Sequence, residues 1–376
     1  MLATRIERQR QVMAEEGLDA LVSFSPESVG YAAGYMVPSQ TIPIRKRVFA
    51  TVVTPEDEAF LLASVEYNEA KRRSRIADVR PYDEFAVDPM RMLADTLAEF
   101  GAAGGRIGLE LDFLPAQHWR NLEGYLAGST LVDAEEIIAR MRAVKTVEEM
   151  EHIRRIARIV HEAHESVAAA AEPGWTEKQM ALHIHEHILG AGGDGISLLV
   201  IGAGERSVYA NCPPTDRAIE DGDLIRIDIF AHAGSYMSDI ARTLVVGEGT
   251  PRQHEVWAKL CEAQTALLEW IRPGASTREV MERYSTFFGG LGLDQAVNFV
   301  GHSFGLTLHE EPFLNLKHDE EIVEGMVFAI EPVYFGEEGG YQLEDEILVV
   351  PGGCELLSDG RGALRTVTAG LTELVG

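Results

Sequence analysis

The chain repeats itself once, at an interval that decides what it can fold into. From Pro173 it reads PGWTEKQMALHIHEHILGAG, and from Pro273 it reads PGASTREVMERYSTFFGGLG. Each copy is Pro-Gly, then a hydroxyl residue with Gln or Glu three places on (Thr176/Gln179, Ser276/Glu279), an amphipathic stretch and a glycine-rich stop. A capping box followed by a glycine stop predicts a helix in each. Downstream, DGDLIRIDIF (221–230) matches EGMVFAIEPVYF (324–335), an acidic residue set in an apolar run. The interval is 100 residues between Pro173 and Pro273 and 103 between Asp228 and Glu331. Solenoid units repeat every 20–50 residues or so. A unit this long predicts two halves related by approximate symmetry, each a helix followed by an acidic strand.

Period-2 reading places the acids. In LIRIDIF, Ile225, Ile227 and Ile229 share one strand face and Leu224, Arg226, Asp228 and Phe230 the other. The isoleucine face is core, so Asp228 points the other way. The next strand, 235–247, carries Asp239. A two-residue turn at Ala233-Gly234 would set Asp228 directly opposite Asp239. Facing carboxylates repel. A shared proton, an arginine (Arg226 or Arg242) or a metal cation would neutralise them. The second half repeats the device. Val327, Ala329 and Glu331 share a face, and after the loop GEEGG (336–340) a strand brings Glu344. Four carboxylates from two related hairpins suit two divalent cations.

Between the hairpins lies GHSFGLTLHEEP (301–312), with His302 and His309. An imidazole among carboxylates favours Zn, Mn, Co or Fe over Mg or Ca. One histidine can ligate while the other donates to an oxyanion. HIHEHI (183–188) spaces His183 and His187 by one helical turn but lacks the H-E-x-x-H order, so it reads as a solvated helix face. GAGGDG (190–195) has neither the preceding strand nor the lysine of a phosphate loop.

Residues 1–143 read as an α/β unit. Helical pattern at 3–16 is followed by strands at 18–24, 48–54, 59–64 and 106–112, with helices at 87–100 and 115–126. Thr146/Glu149 caps a long helix, and the second domain is set at 144–376. With 60 acidic against 33 basic residues the net charge is -27, which repels nucleic acid and anionic membranes. Three cysteines, no signal-type apolar segment and no run near the ~18 residues of a membrane span point to a cytoplasmic protein.

With these residues in place, the chain resembles the pita-bread metallopeptidase family: proline dipeptidases, aminopeptidase P and methionine aminopeptidase, with creatinase as a non-peptidase cousin. MAEEGLDALVSFSPESVGYAAGY (13–35) is similar to the creatinase-type amino-terminal domain. The family's five ligand motifs stand in order: GDLIRIDIF, SDIARTLVVG, GHSFGLTLHEEP, AIEPVYF and LEDEILVV. The resemblance implies an α+β pita-bread catalytic domain with pseudo-two-fold halves behind a smaller α/β domain. It implies two divalent ions (Mn, Co, Zn or Fe) held by Asp228, Asp239, His302, Glu331 and Glu344, with Asp239 and Glu344 bridging. Glu331 is then the base, and His309 binds substrate and steadies the tetrahedral intermediate. The expected reaction is amide hydrolysis in a small substrate, with Xaa-Pro dipeptides first.

Two positions depart from the pattern. Where Xaa-Pro peptidases carry a substrate-binding histidine, YANCPPTDR has Asn211; where they commonly have an arginine two before the last glutamate, the chain has Gln342. Both are candidate substrate-binding positions. They keep open a non-peptide metabolite as substrate, as in ectoine-ring hydrolases and sulfoniopropionate lyases, while intact ligands count against an inactive binding module. The family also implies a homodimer in which the neighbour's amino-terminal domain closes the site. The segment YMVPSQTIPIRKR (35–47) is the candidate contact.

Overall fold

The structure is a computed structural model and describes residues 4–42 and 47–368. Its contacts separate two compact units, Met1–Arg142 and Ala143–Gly376. Part of the candidate contact segment, 43–46, lies outside the described residues.

The first unit is α/β. It contains helix α1 (Arg5–Glu16), strand β1 (Ala20–Ser23), α2 (Pro26–Ala33), β2 (Ala50–Val53), β3 (Glu58–Ala63), α3 (Tyr67–Arg73), β4 (Val79–Tyr82), α4 (Pro89–Glu99), β5 (Arg106–Leu109), α5 (Ala116–Tyr125), β6 (Thr130–Asp133) and α6 (Glu135–Ala143). The sheet runs β4-β3-β2-β1-β5-β6. Glu110, just past β5, ties the sheet to α2. Its carboxylate accepts from the Phe24 and Ser25 N–H groups and from the Ser25 and Ser28 hydroxyls, at 2.6–2.7 Å. A negative charge at a helix start is favoured by the free N–H groups and the helix dipole.

The second unit is α+β and is built twice. The first half is α7 (Val147–Ala170), α8 (Glu177–Gly190), β7 (Gly195–Ala203), β8 (Leu224–Ala233) and β9 (Tyr236–Val246). The second is α9 (Pro251–Trp270), α10 (Thr277–Gly290), β10 (Phe299–Ser303), β11 (Glu310–Asn315), β12 (Val327–Ile330), β13 (Val333–Gly336), β14 (Gly339–Gln342) and β15 (Asp345–Val350), followed by β16 (Gly353–Leu356) and β17 (Arg365–Val367). The sheets run β17-β9-β8-β7 and β11-β10-β12-β15-β16, so β7, β8 and β9 correspond to β10, β12 and β15. These are the two related halves expected from the repeat, in the pita-bread arrangement that the resemblance implies.

The duplication extends to single hydrogen bonds. Gly174 N–H donates to Ile219 C=O and Gly274 N–H to Ile322 C=O; Gly222 donates to Val246 and Gly325 to Val349. Each half buries its own core. Ile225, Ile227 and Ile229 pack under α7 and α8 with Ile156, Val160, Met180 and Ile184. Phe328, Ile330 and Ile347 pack with Val256, Leu260, Val280 and Tyr284 of α9 and α10. Full burial of each such side chain contributes roughly 1.5–3 kcal/mol. The rung Gly202↔Arg226 in the first half stands where His302↔Ala329 stands in the second.

Several expectations need correction. The β8–β9 turn is Gly234-Ser235, not Ala233-Gly234, and Ala233 pairs with Tyr236. Both turn residues have positive φ, 58° and 71°. A type I′ turn demands that, and glycine meets it at least cost in the first position. Asp228 therefore pairs with Ala241 and Asp239 with Phe230, and the two aspartates are diagonal neighbours. Moving a turn by one residue shifts the pairing by two, so both stay on the same face. The GEEGG loop shrinks to a Glu337-Glu338 turn, with Gly336 paired to Gly339. Ser276 caps α10 through Glu279 N–H, but Glu279 does not return the bond that Gln179 returns at Thr176. His183 is half-buried rather than solvated, its Nε2 2.8 Å from Ser166 Oγ and its ring tilted over Trp175.

Candidate metal centre

The hairpin that carries Glu331 and Glu344 is one ladder with a break in it. Ile330 pairs with Asp345 on β12–β15 and Val333 with Gln342 on β13–β14, a single register that sets Glu331 opposite Glu344. Pro332 interrupts it, having no N–H to give. The N–H groups of Glu331 and Glu344 face outward from this pair. Glu331 N–H donates to Val300 C=O on the β10 side (2.9 Å), and Glu344 N–H to Ala241 C=O on β9 (3.1 Å). The second bond joins the two halves. Their acidic faces meet there, and Asp228, Asp239, His302, Glu331 and Glu344 are all buried.

The side chains converge. Ligand-type atoms of Asp228, Asp239 and Glu344 lie within 4.8 Å of one another, as do those of His302, Glu331 and Glu344 and those of Asp239, His302 and His309. Glu344, Asp239 and His302 each belong to two of these groups. His302 Nε2 faces Asp239 Oδ2 at 3.4 Å, Glu331 Oε1 at 3.7 Å and Glu344 Oε1 at 4.0 Å. Its Nδ1 lies 3.1 Å from Ser303 C=O. A carbonyl only accepts, so Nδ1 carries the hydrogen and Nε2 offers a lone pair. Burial, and then the neighbouring His309, push the His302 pKa down to about 3, so the ring is neutral.

The carboxyls shift the opposite way. Burial, opposed by Arg226, lifts Asp228 to about 6. Burial and the Asp228 charge lift Glu331 to about 8. Asp239 and Glu344 rise well above the carboxylate range through burial and mutual repulsion. The protein's own cations do not relieve this crowding. Arg242 is bound to Asp345 (2.5 Å) and to backbone carbonyls. Arg226 approaches Asp228 only to 3.9 Å. His302 Nε2, Asp228 Oδ1 and Asp239 Oδ1 are buried without hydrogen-bond partners. Such atoms are costly in a fold unless something binds them. A divalent cation fits the donor set: hard oxygens with one imidazole.

His309 is exposed and sits against His302, ring centroids 4.1 Å apart, with Phe299 and Phe313 edge-on to it. Its loop is fixed by Glu310, which accepts from Leu306 and Thr307 N–H and pairs with buried Lys145 at 2.7 Å. Asn211 is exposed on the loop between β7 and β8. Its neighbour Cys212 packs with Val200, Phe230 and Leu308, which brings that loop beside the His309 loop. Gln342 is buried, and its amide donates to Glu331 Oε2 and Glu344 Oε2, both at 3.3 Å. A fourth group, Glu311, His318 and Glu320, is half-exposed. His183 and His187 belong to none of the four groups.

Three residues at or beside the centre were not singled out by sequence reading. Glu346 is buried, accepts Asp239 N–H at 2.7 Å, and is lifted by burial to about 8. It stands two places after Glu344, so parity alone could have marked it. Lys145 and Glu310 carried no such signal, being 165 positions apart.

Residues 151–351 match the model of metallopeptidase family M24, and residues 5–144 that of the creatinase/prolidase N-terminal domain. The chain is 27% identical to an Xaa-Pro dipeptidase of Pyrococcus furiosus, across 94% of this chain and 97% of that one. It is 26% identical to a creatinase of a Bacillus species, across 94% and 89%. An X-Pro aminopeptidase structure from Thermotoga maritima superposes with a TM-score of 0.85 at 24% identity, covering 97% of this chain and 99% of that one.

Proposed function

The chain belongs to metallopeptidase family M24 and is a hydrolase; from that premise we propose that it cleaves an amide bond in a small substrate with two divalent metal ions, Xaa-Pro dipeptides being the first class to try. The observation that carries this reading is the convergence of four carboxylates and a neutral imidazole, three of whose buried atoms have no partner. Five carboxyl groups including Glu346 stand against one guanidinium, Arg226, a deficit of four charges that two divalent cations match. Glu344 links the Asp228–Asp239 group to the His302–Glu331 group, and these five residues would hold the two ions.

Two such cations supply hydroxide near neutral pH and polarise the scissile carbonyl. The protein does the rest. Glu331 takes the proton from the attacking water and passes it to the leaving nitrogen. His309, held by the Glu310–Lys145 pair, donates to the oxyanion of the tetrahedral intermediate. Asn211 contacts the substrate from the loop opposite. Asparagine donates and accepts but carries no proton at neutral pH. That, with Gln342, favours a second reading: a non-peptide metabolite turned over at the same centre. The neighbour's amino-terminal unit in a homodimer is part of both readings.

The test has two steps. Purified protein is assayed for metal content and for activation by Mn²⁺ or Co²⁺. It is then given a panel of Xaa-Pro dipeptides, longer Xaa-Pro peptides, ectoine and dimethylsulfoniopropionate. Protein that neither holds nor responds to divalent metal removes both readings. Turnover of ectoine or dimethylsulfoniopropionate without dipeptide cleavage selects the second.

A further inference from the structure

Arg226 is the most deeply buried arginine among the described residues, at 2% exposure. It stands two places before Asp228, on the same face of β8. A guanidinium has five N–H donors and accepts nothing. Here Nε donates to Ser207 C=O (3.1 Å), and Nη2 to the carbonyls of Ala210 (2.6 Å) and Tyr209. Nη1 donates to Gln342 Oε1 at 2.7 Å. The 3.9 Å gap to Asp228 Oδ2 is too long for a hydrogen bond. This buried charge therefore serves one loop and one amide.

The amide has a donating end and an accepting end. Because Arg226 only donates, Gln342 must turn its oxygen toward the guanidinium and its NH₂ away. On the far side lie Glu331 Oε2 and Glu344 Oε2, each 3.3 Å from Nε2. The reverse orientation would set NH₂ against a cation and an amide oxygen against two carboxylates. With their Oε2 atoms held, both glutamates present Oε1 toward His302 Nε2, at 3.7 and 4.0 Å. The loop end of the same guanidinium is equally constrained. Gly340 N–H donates to Ser207 Oγ at 2.8 Å, and a Cβ on Gly340 would come within 2.1 Å of Ser207 C=O, so only glycine admits the loop this close to β14.

We propose that Arg226 and Gln342 form a positioning relay. Arg226 sets the Gln342 amide, and Gln342 selects which oxygen of Glu331 and of Glu344 faces the metal ions. The same guanidinium holds the Ser207–Ala210 backbone, and so fixes Asn211 relative to the centre. Neither residue touches the reacting atoms. The relay rests on the metal-dependent reading of the site.

A double-mutant cycle tests it, with Arg226→Met, Gln342→Met and the double variant. Metal-free proteins are titrated with Mn²⁺ by calorimetry, and their melting temperatures are recorded. Gln342→Met is expected to weaken Mn²⁺ binding about 10- to 100-fold, the usual range for losing a group that orients metal ligands. Arg226→Met should do likewise in the wild-type background. In the Gln342→Met background it should change Mn²⁺ affinity by less than about threefold, while still raising KM through the loop. Simple addition of the two losses overturns the relay, because independent packing defects add. If Arg226→Met does not fold, Gln342→Met alone decides: unchanged Mn²⁺ affinity overturns it. A wild-type protein that binds no Mn²⁺ removes the metal reading and the relay together. Wild-type binding with an indifferent Gln342→Met removes the relay alone.

Discussion

Without metal, this protein should grow less stable as pH rises from 5.5 to 7.5, contrary to the usual behaviour of carboxylates. Glu331 and Glu346 ionise in the folded chain near pH 8, against an ordinary value of 4.5 when unfolded. Between those values the folded chain holds protons that the unfolded chain has released. Stability then falls with pH by about 1.4 kcal/mol per unit for each group. Two groups over two units give roughly 5 kcal/mol, comparable to the whole stability of a domain. Protons shared among neighbouring carboxyls reduce this, and half of it is readily measured. The assay is urea unfolding in EDTA at pH 5.5, 6.5 and 7.5. Trp175, Trp257 and Trp270 report on the second unit, which contains three of the four tryptophans. The midpoint should fall with pH in EDTA. Saturating Mn²⁺ should restore it most at pH 7.5, because the ions bind the ionised forms. Glu344→Gln should flatten the pH slope and remove the Mn²⁺ effect. A midpoint in EDTA that is flat or rises over this range refutes the claim that buried repulsion dominates the empty site.

Three further expectations concern single residues. Glu331→Gln should lower kcat at least about 100-fold, with Mn²⁺ still bound by calorimetry; near wild-type turnover would move the base elsewhere. Asn211→His should change the ranking of substrates by kcat/KM more than it changes Mn²⁺ affinity, and an unchanged ranking across the panel would remove Asn211 from the site. Lys145→Met leaves Glu310 buried without its cation, a loss of about 3–5 kcal/mol. It also loosens the His309 loop, so melting temperature and kcat should fall together, and Glu310→Gln added to it should recover part of the melting temperature.

The ligands were legible because strand parity is a local property. Asp228 and Asp239 kept their common face although the turn between them was placed one residue early. The repeat supplied the second pair, and the Thr146 and Thr176 caps marked helix starts that the structure places at Val147 and Glu177. What escaped reading depends on distant partners. Strands β4 and β6, VRPY and TLVD, have partly exposed faces and no clean alternation. Arg226 reads as a candidate partner of the two aspartates, whereas the Ser207–Ala210 loop and Gln342 take its hydrogen bonds. The N–H groups of Glu331 and Glu344 reach Val300 and Ala241 on other strands, and no spacing in the sequence announces which strands those are.

The rung at which the two halves differ gives the centre a direction. By the repeat, Gly202 and Arg226 correspond to His302 and Ala329, each pair placing one long polar side chain across from a small residue. The first half uses the position for a permanent cation and the second for a neutral lone pair. A Cβ at Gly202 would meet Arg206 C=O at 2.6 Å and Cys212 Sγ at 2.7 Å, so the first half has filled with backbone the space where its sister keeps an imidazole. A perfect copy of either half would make a centre with indistinguishable ends, at which an asymmetric molecule docks equally well in two senses. This rung is one of the differences that make the ends unlike, so an asymmetric molecule meets two distinct ends.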